Sequence, residues 1–301
     1  MAYFLQQVLN GVHMGALYGL LAFGYAVANG VLHRTNLAHG AVFAFAGQTA
    51  ILAAVFGWQV LWLALPATLA LGIGIAFLYA GTVGWILSRW IFRPLADRTP
   101  NAIVVATLGV ALVLGELGRI ASDTRDYWLP PLLATPVEFW RDGTFPVTLT
   151  VIQLVNVALV VAAIAAASAW LAASSFGRSL RALSDDPVAA AMCGIDTGRV
   201  FTAAIVVSAL TAALAGVLAA LHFGNISFGT GLAFGLKVLF VAAVGGFSTP
   251  LACALGGAAM GMAESLWTGY FPLEWRDAAV FGALIALLIL RPSQDVVSER
   301  V

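Results

Sequence analysis

Apolar runs of about twenty residues recur along nearly the whole of this chain, and that is the length an α-helix needs to cross the hydrocarbon core of a bilayer. No water reaches that core, so every backbone N–H and C=O must be satisfied within the segment, which leaves the helix as the solution for runs of this kind. The runs cover residues 4–31, 41–56, 60–88, 102–120, 147–172, 200–222, 232–244, 251–267 and 278–290. The seventh and ninth are short and read as broken or re-entrant. The expected fold class is an all-α integral membrane protein, a bundle of 8–9 transmembrane helices forming one domain over residues 1–301. Charged residues make up 9% of the chain and apolar ones 61%, against about 25% charged in a soluble domain. A soluble protein of this composition could not cover its own surface.

The few charges set an orientation. If nine segments cross, Arg34, Arg89, Arg93, Arg98, Arg178, Arg181, Arg199, Arg291 and Arg300 all fall on one side, which the positive-inside rule makes cytoplasmic. The N-terminus is then outside and the C-terminus cytoplasmic. On the other side Arg119, Arg125, Arg141 and Arg276 sit among Asp123, Asp126, Glu138, Asp142, Glu274 and Asp277. The first ten residues lack Lys and Arg, so the first run reads as a retained span rather than a cleaved signal. The segment 122–146, with Trp128, Trp140, Pro130, Pro131 and Pro136, reads as an external stretch lying at the membrane interface. Glycines spaced by four, at Gly11, Gly15 and Gly19, at Gly231 and Gly235, and at Gly257 and Gly261, mark faces where helices approach closely.

Several function classes drop out. Formal net charge is zero and the one lysine, Lys237, lies inside an apolar run, so nothing neutralises a nucleic-acid backbone. There is no phosphate-binding Gly-x-x-x-x-Gly-Lys loop, and His13, His33, His39 and His222 show no zinc-site spacing. No Gly-x-Ser-x-Gly elbow is present. Cys193 and Cys253 are far apart and read as small buried hydrophobes. No catalytic residue, metal ligand or cofactor is expected on the chain itself.

Ionisable residues inside spans need an account, since lipid does not tolerate them bare. Lys237 and Glu264 lie on consecutive apolar segments and can meet as an ion pair. They then serve as a buried tether, as the polar lining of a solute path, or as part of a proton relay. Glu116 lies one turn from the end of its run, near Arg119, and reads as snorkelling to the interface. Between the fifth and sixth runs, residues 177–199 read GRSLRALSDDPVAAAMCGIDTGR. Ser184, Asp185 and Asp186 before Pro187 suit a helix start, and Gly194 a helix stop. The short helix between them is either a docking knob for a partner or an ordinary surface helix.

This segment, with Arg181-Ala182, Asp185-Asp186, the run Ala189, Ala190, Ala191, and Gly194-Ile195, resembles the permease subunits of branched-chain amino acid (Liv-type) ABC importers. Other stretches agree: 5–19 as the opening span, Asn36-Leu37-Ala38-His39-Gly40, Gly235-Leu236-Lys237 followed by Val244-Gly245-Gly246, Gly261-Met262-Ala263-Glu264, and Leu290-Arg291-Pro292. The resemblance implies that 177–199 is a coupling segment docking on an ATPase, with Arg181, Asp185, Asp186, Pro187, Ala190 and Gly194 as its coupling residues. It implies cytoplasmic ATPase subunits that bind the ATP, a homologous second permease, an external solute-binding protein and surrounding membrane lipid. The solute it implies is a branched-chain amino acid or a related amide, urea or carboxylate. Asn36 and His39 are read either structurally, Asn36 capping the second span and His39 bonding a neighbouring loop, or as solute contacts. A self-sufficient carrier, which often shows inverted repeats not seen in this chain, is the alternative; an intramembrane enzyme or a structural scaffold are more distant ones.

Overall fold

A computed structural model describes residues 1–96, 100–143, 145–227, 229–245 and 249–290. Arg98, Arg291, Pro292 and Arg300, and Gly246 in the turn before Pro250, lie outside the described residues. Six helices among those described are long and apolar enough to cross a membrane. They are α1 (Ala2–Leu32), α2 (Ala38–Gln59), α3 (Leu65–Ile86) with its continuation, α5 (Pro100–Ala121), α6 (Val151–Ala173) and α9 (Thr197–Phe223). The continuation of α3 is a π-helical stretch, Leu87–Phe92, followed by the single turn α4 (Arg93–Ala96). α7 (Ser175–Asp185) and α8 (Pro187–Met192) join α6 to α9. α10 (Thr230–Gly245), α11 (Pro250–Tyr270), a 3₁₀ turn Leu273–Trp275 and α12 (Arg276–Leu290) complete the chain.

α1, α2 and α9 are buried along most of their apolar length, whereas α3, α5 and α6 expose most of theirs. The core is therefore α1 and α9 with α2 and α11 packed on them, and the outer helices present Leu, Val and Ile to lipid or to a partner. Small residues make that core possible. A Cβ on Gly15 would come within 2.6 Å of the Ala258 carbonyl oxygen on α11, so α1 and α11 lie backbone to backbone along the predicted glycine stripes. At this separation dispersion contacts and weak Cα–H···O bonds hold the helices, since lipid tails supply no hydrophobic drive.

Among the described residues the structure departs from an all-α bundle in one place. The external segment folds into an antiparallel hairpin, β1 (Pro136–Asp142) paired with β2 (Phe145–Thr150), turning at Gly143 with φ +61°. The expected fifth span began at Val147, but residues 147–150 alternate Val, Thr, Leu, Thr, and Val147 and Leu149 point inward as a strand does. The helix opens only at Val151, where Thr150 and Gln153 form a capping box. The third span likewise starts later than expected: residues 60–64 form a turn with Trp62 at φ +52°, and Pro66 sits in the first turn of α3.

Gln6 hydrogen-bonds the hairpin to α1, beside an edge-on contact of the Tyr3 and Phe145 rings. Gln6 donates through Nε2 to the Thr148 carbonyl and accepts the Thr148 N–H at Oε1, both at 2.8 Å, so its amide acts as a third strand. Tyr3 donates to the Gly269 carbonyl at 2.6 Å, which places the start of α1, the hairpin and the end of α11 together at one end of the bundle. Gln6→Leu is expected to release the hairpin at a cost of about 1–2 kcal/mol. Limited proteolysis should then cut between residues 136 and 150 several-fold faster, with the helices intact.

Candidate coupling and translocation sites

The segment between α6 and α9 is built by successive caps. The Ser174 hydroxyl accepts the Gly177 N–H at 3.0 Å and starts α7, which buries Gly177, Leu180 and Leu183 on one side. Arg178 and Arg181 donate to the Ala173 and Leu171 carbonyls at 3.1 and 3.0 Å, satisfying the open end of α6. Arg181 is thereby tied to the bundle itself. Asp186 ends α7 and starts α8: its Oδ1 accepts the Val188 and Ala189 N–H groups at 2.8 and 3.0 Å, and Pro187 takes the first helical position. Gly194, at φ +79°, closes α8: its N–H reaches the Ala191 carbonyl at 3.0 Å, and the Ile195 N–H the Ala190 carbonyl at 3.1 Å. Asp196 then caps α9 by accepting the Arg199 N–H at 3.0 Å.

The product is a short, doubly capped helix with Ala190 turned inward and Val188 and Met192 standing 68% and 85% exposed. Asp185, Asp186 and Pro187 are exposed beside them. Cys193, expected to be buried, is exposed at the C-cap because α8 is too short to cover it; Cys253 is buried as expected. The elements on either side of α8, α7 and α9, are fastened to the bundle. His33, at the end of α1, contacts the Ser184 carbonyl at 3.0 Å, and Arg93 of α4 bonds the Gly198 carbonyl and, at 2.9 Å, the Thr202 hydroxyl of α9.

α2 starts inside the bundle rather than at its end. The Leu37 N–H donates to Thr107 Oγ1 at 3.2 Å and Gln48 Nε2 to the Gly118 carbonyl at 3.0 Å, a constant offset of 70 residues that lays α2 parallel to α5. Thr107 lies seven residues past Pro100, so α2 begins about 11 Å inside the start of α5. The His39–Ser208 contact at 3.2 Å gives a second ruler, because Ser208 lies eleven residues, about 16 Å, inside α9. Asn36 sits at this depth and accepts the Ala38 N–H at 3.1 Å, satisfying the helix start from one residue outside the cap. His39 bonds the Leu21 carbonyl at 3.0 Å, which is helix backbone in α1 rather than the loop expected from sequence. The first turn of α10 meets the first turns of α2 here: Gly231 lies against Ala41 and Ala44, and Gly235 against Gly40. Two helix N-termini thus open near the middle of the bundle.

Lys237 and Glu264 do form an ion pair, at 3.0 Å, with both side chains nearly fully buried. Two partners were missed. Asp277 Oδ1 lies 3.0 Å from Lys237 Nζ, and Arg276 Nε 3.4 Å from Glu264 Oε1, so α10, α11 and α12 share two cations and two anions. Tyr18 OH, from α1, reaches Lys237 at 3.5 Å. Sequence position had assigned Arg276 and Asp277 to a loop; only their place one turn before an apolar run hinted otherwise. Outside the spanning helices, the Arg141 guanidinium bonded to Glu138 on the hairpin holds that carboxyl below the usual carboxylate range.

A cavity of about 270 Å³ lies between α2, α5 and the start of α10. Its walls are mostly apolar, with Ala41, Ala44 and Phe45 facing Ala111 and Leu114. Gln48, only 7% exposed, enters it from α2, and Glu116 and Arg119 enter it from α5. These last two form a two-armed pair, with Arg119 Nε donating to Glu116 Oε2 at 2.9 Å. Glu116, read as a snorkelling group, therefore borders a cavity. Gln48 was not singled out from sequence, although it is an amide in the middle of an apolar run.

A helical bundle with a rigid capped knob at one end, helix starts at mid-depth and a cavity beside them has the architecture of a membrane permease. The sequence matches, over residues 7–290, the family described as "Branched-chain amino acid transport system / permease component", and the chain belongs to that family. The high-affinity branched-chain amino acid transport system permease protein LivH of Escherichia coli (strain K12) is 31% identical over 97% of this chain and 94% of its own length. LivH of Salmonella typhimurium is 30% identical over the same shares, and the corresponding permease protein BraD of Pseudomonas aeruginosa 25% over 97% and 95%. No solved structure matches the chain.

Proposed function

We propose that this chain is the transmembrane permease subunit of an ATP-binding-cassette importer that carries branched-chain amino acids across the cytoplasmic membrane. Separate ATPase subunits supply the energy, an external binding protein delivers the solute, and a homologous second permease completes the path. The observation that carries this reading is α8: an exposed, capped apolar knob set between Asp186, which starts it, and Asp196, which starts α9, on a chain that has no phosphate-binding loop of its own. The orientation that fits it has 8–9 crossings, the N-terminus outside and the α7–α8 knob in the cytoplasm among Arg34, Arg89, Arg93, Arg178 and Arg199.

In this mechanism the ATPases close on ATP and push α8. The Asp196 cap and the Arg93 contacts pass that push to α9, α4 and the π-helical end of α3, while α7, through its Ser184 carbonyl, passes it to His33 at the end of α1. α9 moves against α2, whose start at mid-depth borders the cavity, so a displacement at the knob reaches the path along continuous helices. Arg181, Asp185, Asp186, Pro187, Ala190 and Gly194 build and present the knob. Asn36 and His39 hold the start of α2.

Purification from the native membrane in mild detergent tests the assembly: an ATPase and a second permease should accompany this chain, and recovery of the chain alone would favour a self-sufficient carrier. Asp185→Lys with Asp186→Lys is expected to remove the α8 cap, about 1 kcal/mol, and to reverse the charge beside the knob. Leucine uptake should fall at least about tenfold while ATP hydrolysis by the assembled complex continues. Uptake that stays at the parent rate in the double variant would dismiss α8 as the coupling element.

A further inference from the structure

The α2–α5–α10 cavity carries more chemistry than a packing gap requires. Its apolar walls hold three polar groups, and two of these are opposite charges one helical turn apart. Arg119 is fixed in place by a further bond, Nη1 to the Thr124 hydroxyl at 3.1 Å. Glu116 and Arg119 remain 54% and 40% exposed at the side chain although they pair with each other. Gln48 donates to the Gly118 carbonyl, and among the described residues its Oε1 accepts no hydrogen bond despite its burial.

We propose that this cavity is a solute station that reads a zwitterionic aliphatic amino acid at both charges, Glu116 taking the α-ammonium and Arg119 the α-carboxylate. The proposal rests on the amino-acid permease reading above and deepens it by assigning where, and through which groups, this chain holds its solute. A zwitterion is the one solute class that can replace the internal pair arm for arm. The Glu116–Arg119 bonds open and two charge-assisted bonds to the solute form, with no change in total charge within the membrane. A cation alone would leave Arg119 unmatched, and an anion alone Glu116. Gln48 lines the same cavity and carries a further acceptor for the ammonium. The side chain then faces Ala41, Ala44, Ala111 and Leu114, which offer no polar partner. A cavity of about 270 Å³ falls just under the range of about 300–1,000 Å³ typical of sites for drug-sized ligands, which is room enough for an amino acid.

The test uses the assembled importer in membrane vesicles and a diazirine-bearing photoreactive analogue of leucine. After illumination during transport, the adduct on this chain should map to residues 41–48 or 111–119 and be displaced by unlabelled leucine. Glu116→Gln and Arg119→Gln should each raise the half-saturation of uptake about tenfold or more, at normal amounts of protein in the membrane. The exchanged pair Glu116→Arg with Arg119→Glu keeps an ion pair but inverts its polarity, and should stay impaired. Full uptake in the exchanged pair would overturn the proposal, because the pair would then only fasten the end of α5. An adduct mapping elsewhere while leucine uptake runs normally would overturn it too, leaving the permease reading intact. Leucine uptake that survives deletion of this chain would instead remove the permease reading, and this proposal with it.

Discussion

Gly40→Ala is expected to lower the amount of folded protein in the membrane severely, although it adds a single methyl group. A Cβ at this position collides with the Gly231 carbonyl and with the Gly235 backbone, where α2 and α10 cross. Backbone atoms cannot swing aside as a side-chain tip can. The two helices must part, and the contacts of both first turns go with them. Overpacking of a well-filled interior costs about 1–3 kcal/mol, and a backbone clash belongs at or above the upper end. Gly74→Ala is the matched control, since nothing lies within 4 Å of that position. Size-exclusion of the detergent-solubilised proteins should show Gly74→Ala at the parent level and Gly40→Ala as aggregate or absent. Equal behaviour of the two would mean that α2 and α10 do not meet as closely as the structure has them.

Lys237→Met is expected to destabilise the bundle by about 3–5 kcal/mol, because it takes from the buried Glu264 carboxylate its buried partner and leaves it to share Arg276 with the half-exposed Asp277. Adding Glu264→Met should recover more than half of that loss. The double variant retains Arg276 and Asp277, paired at 3.1 Å and neutral together. Thermal unfolding in detergent measures both. Uptake measured in parallel separates the readings left open by the sequence. If the pair is a tether joining α10 to α11, uptake returns with stability in the double variant. If Lys237 and Glu264 line the path, stability returns and uptake does not.

Most of the membrane bundle was legible because length and hydropathy decide it locally. Residues 200–222 could be read as a span without knowing what they touch, and Asp186, Pro187 and Gly194 mark α8 through rules that reach only three or four residues. The Lys237–Glu264 pair was legible for a related reason: two charges in adjacent apolar runs have few other places to go. The hairpin was missed because its inward face is just Val147 and Leu149, too short a pattern to compete with the long apolar run that follows. Gln48, Arg276 and Asp277 were missed because their roles come from partners 12 to 70 positions away. The mid-depth start of α2 could not be read at all. An apolar run signals how long a helix is, and nothing in residues 38–59 signals where along its neighbours that helix begins.

That start has a consequence for the cell's energy supply. The N-termini of α2 and α10 each place about half a positive charge near the middle of the bundle. A proton or sodium ion drawn inward by the membrane voltage meets that potential, and the carboxylate in the cavity lining, Glu116, is already paired with Arg119. An electroneutral amino acid is indifferent to it. A subunit that must open a way for solute many times a second can therefore do so without discharging the gradient that the rest of the membrane lives on.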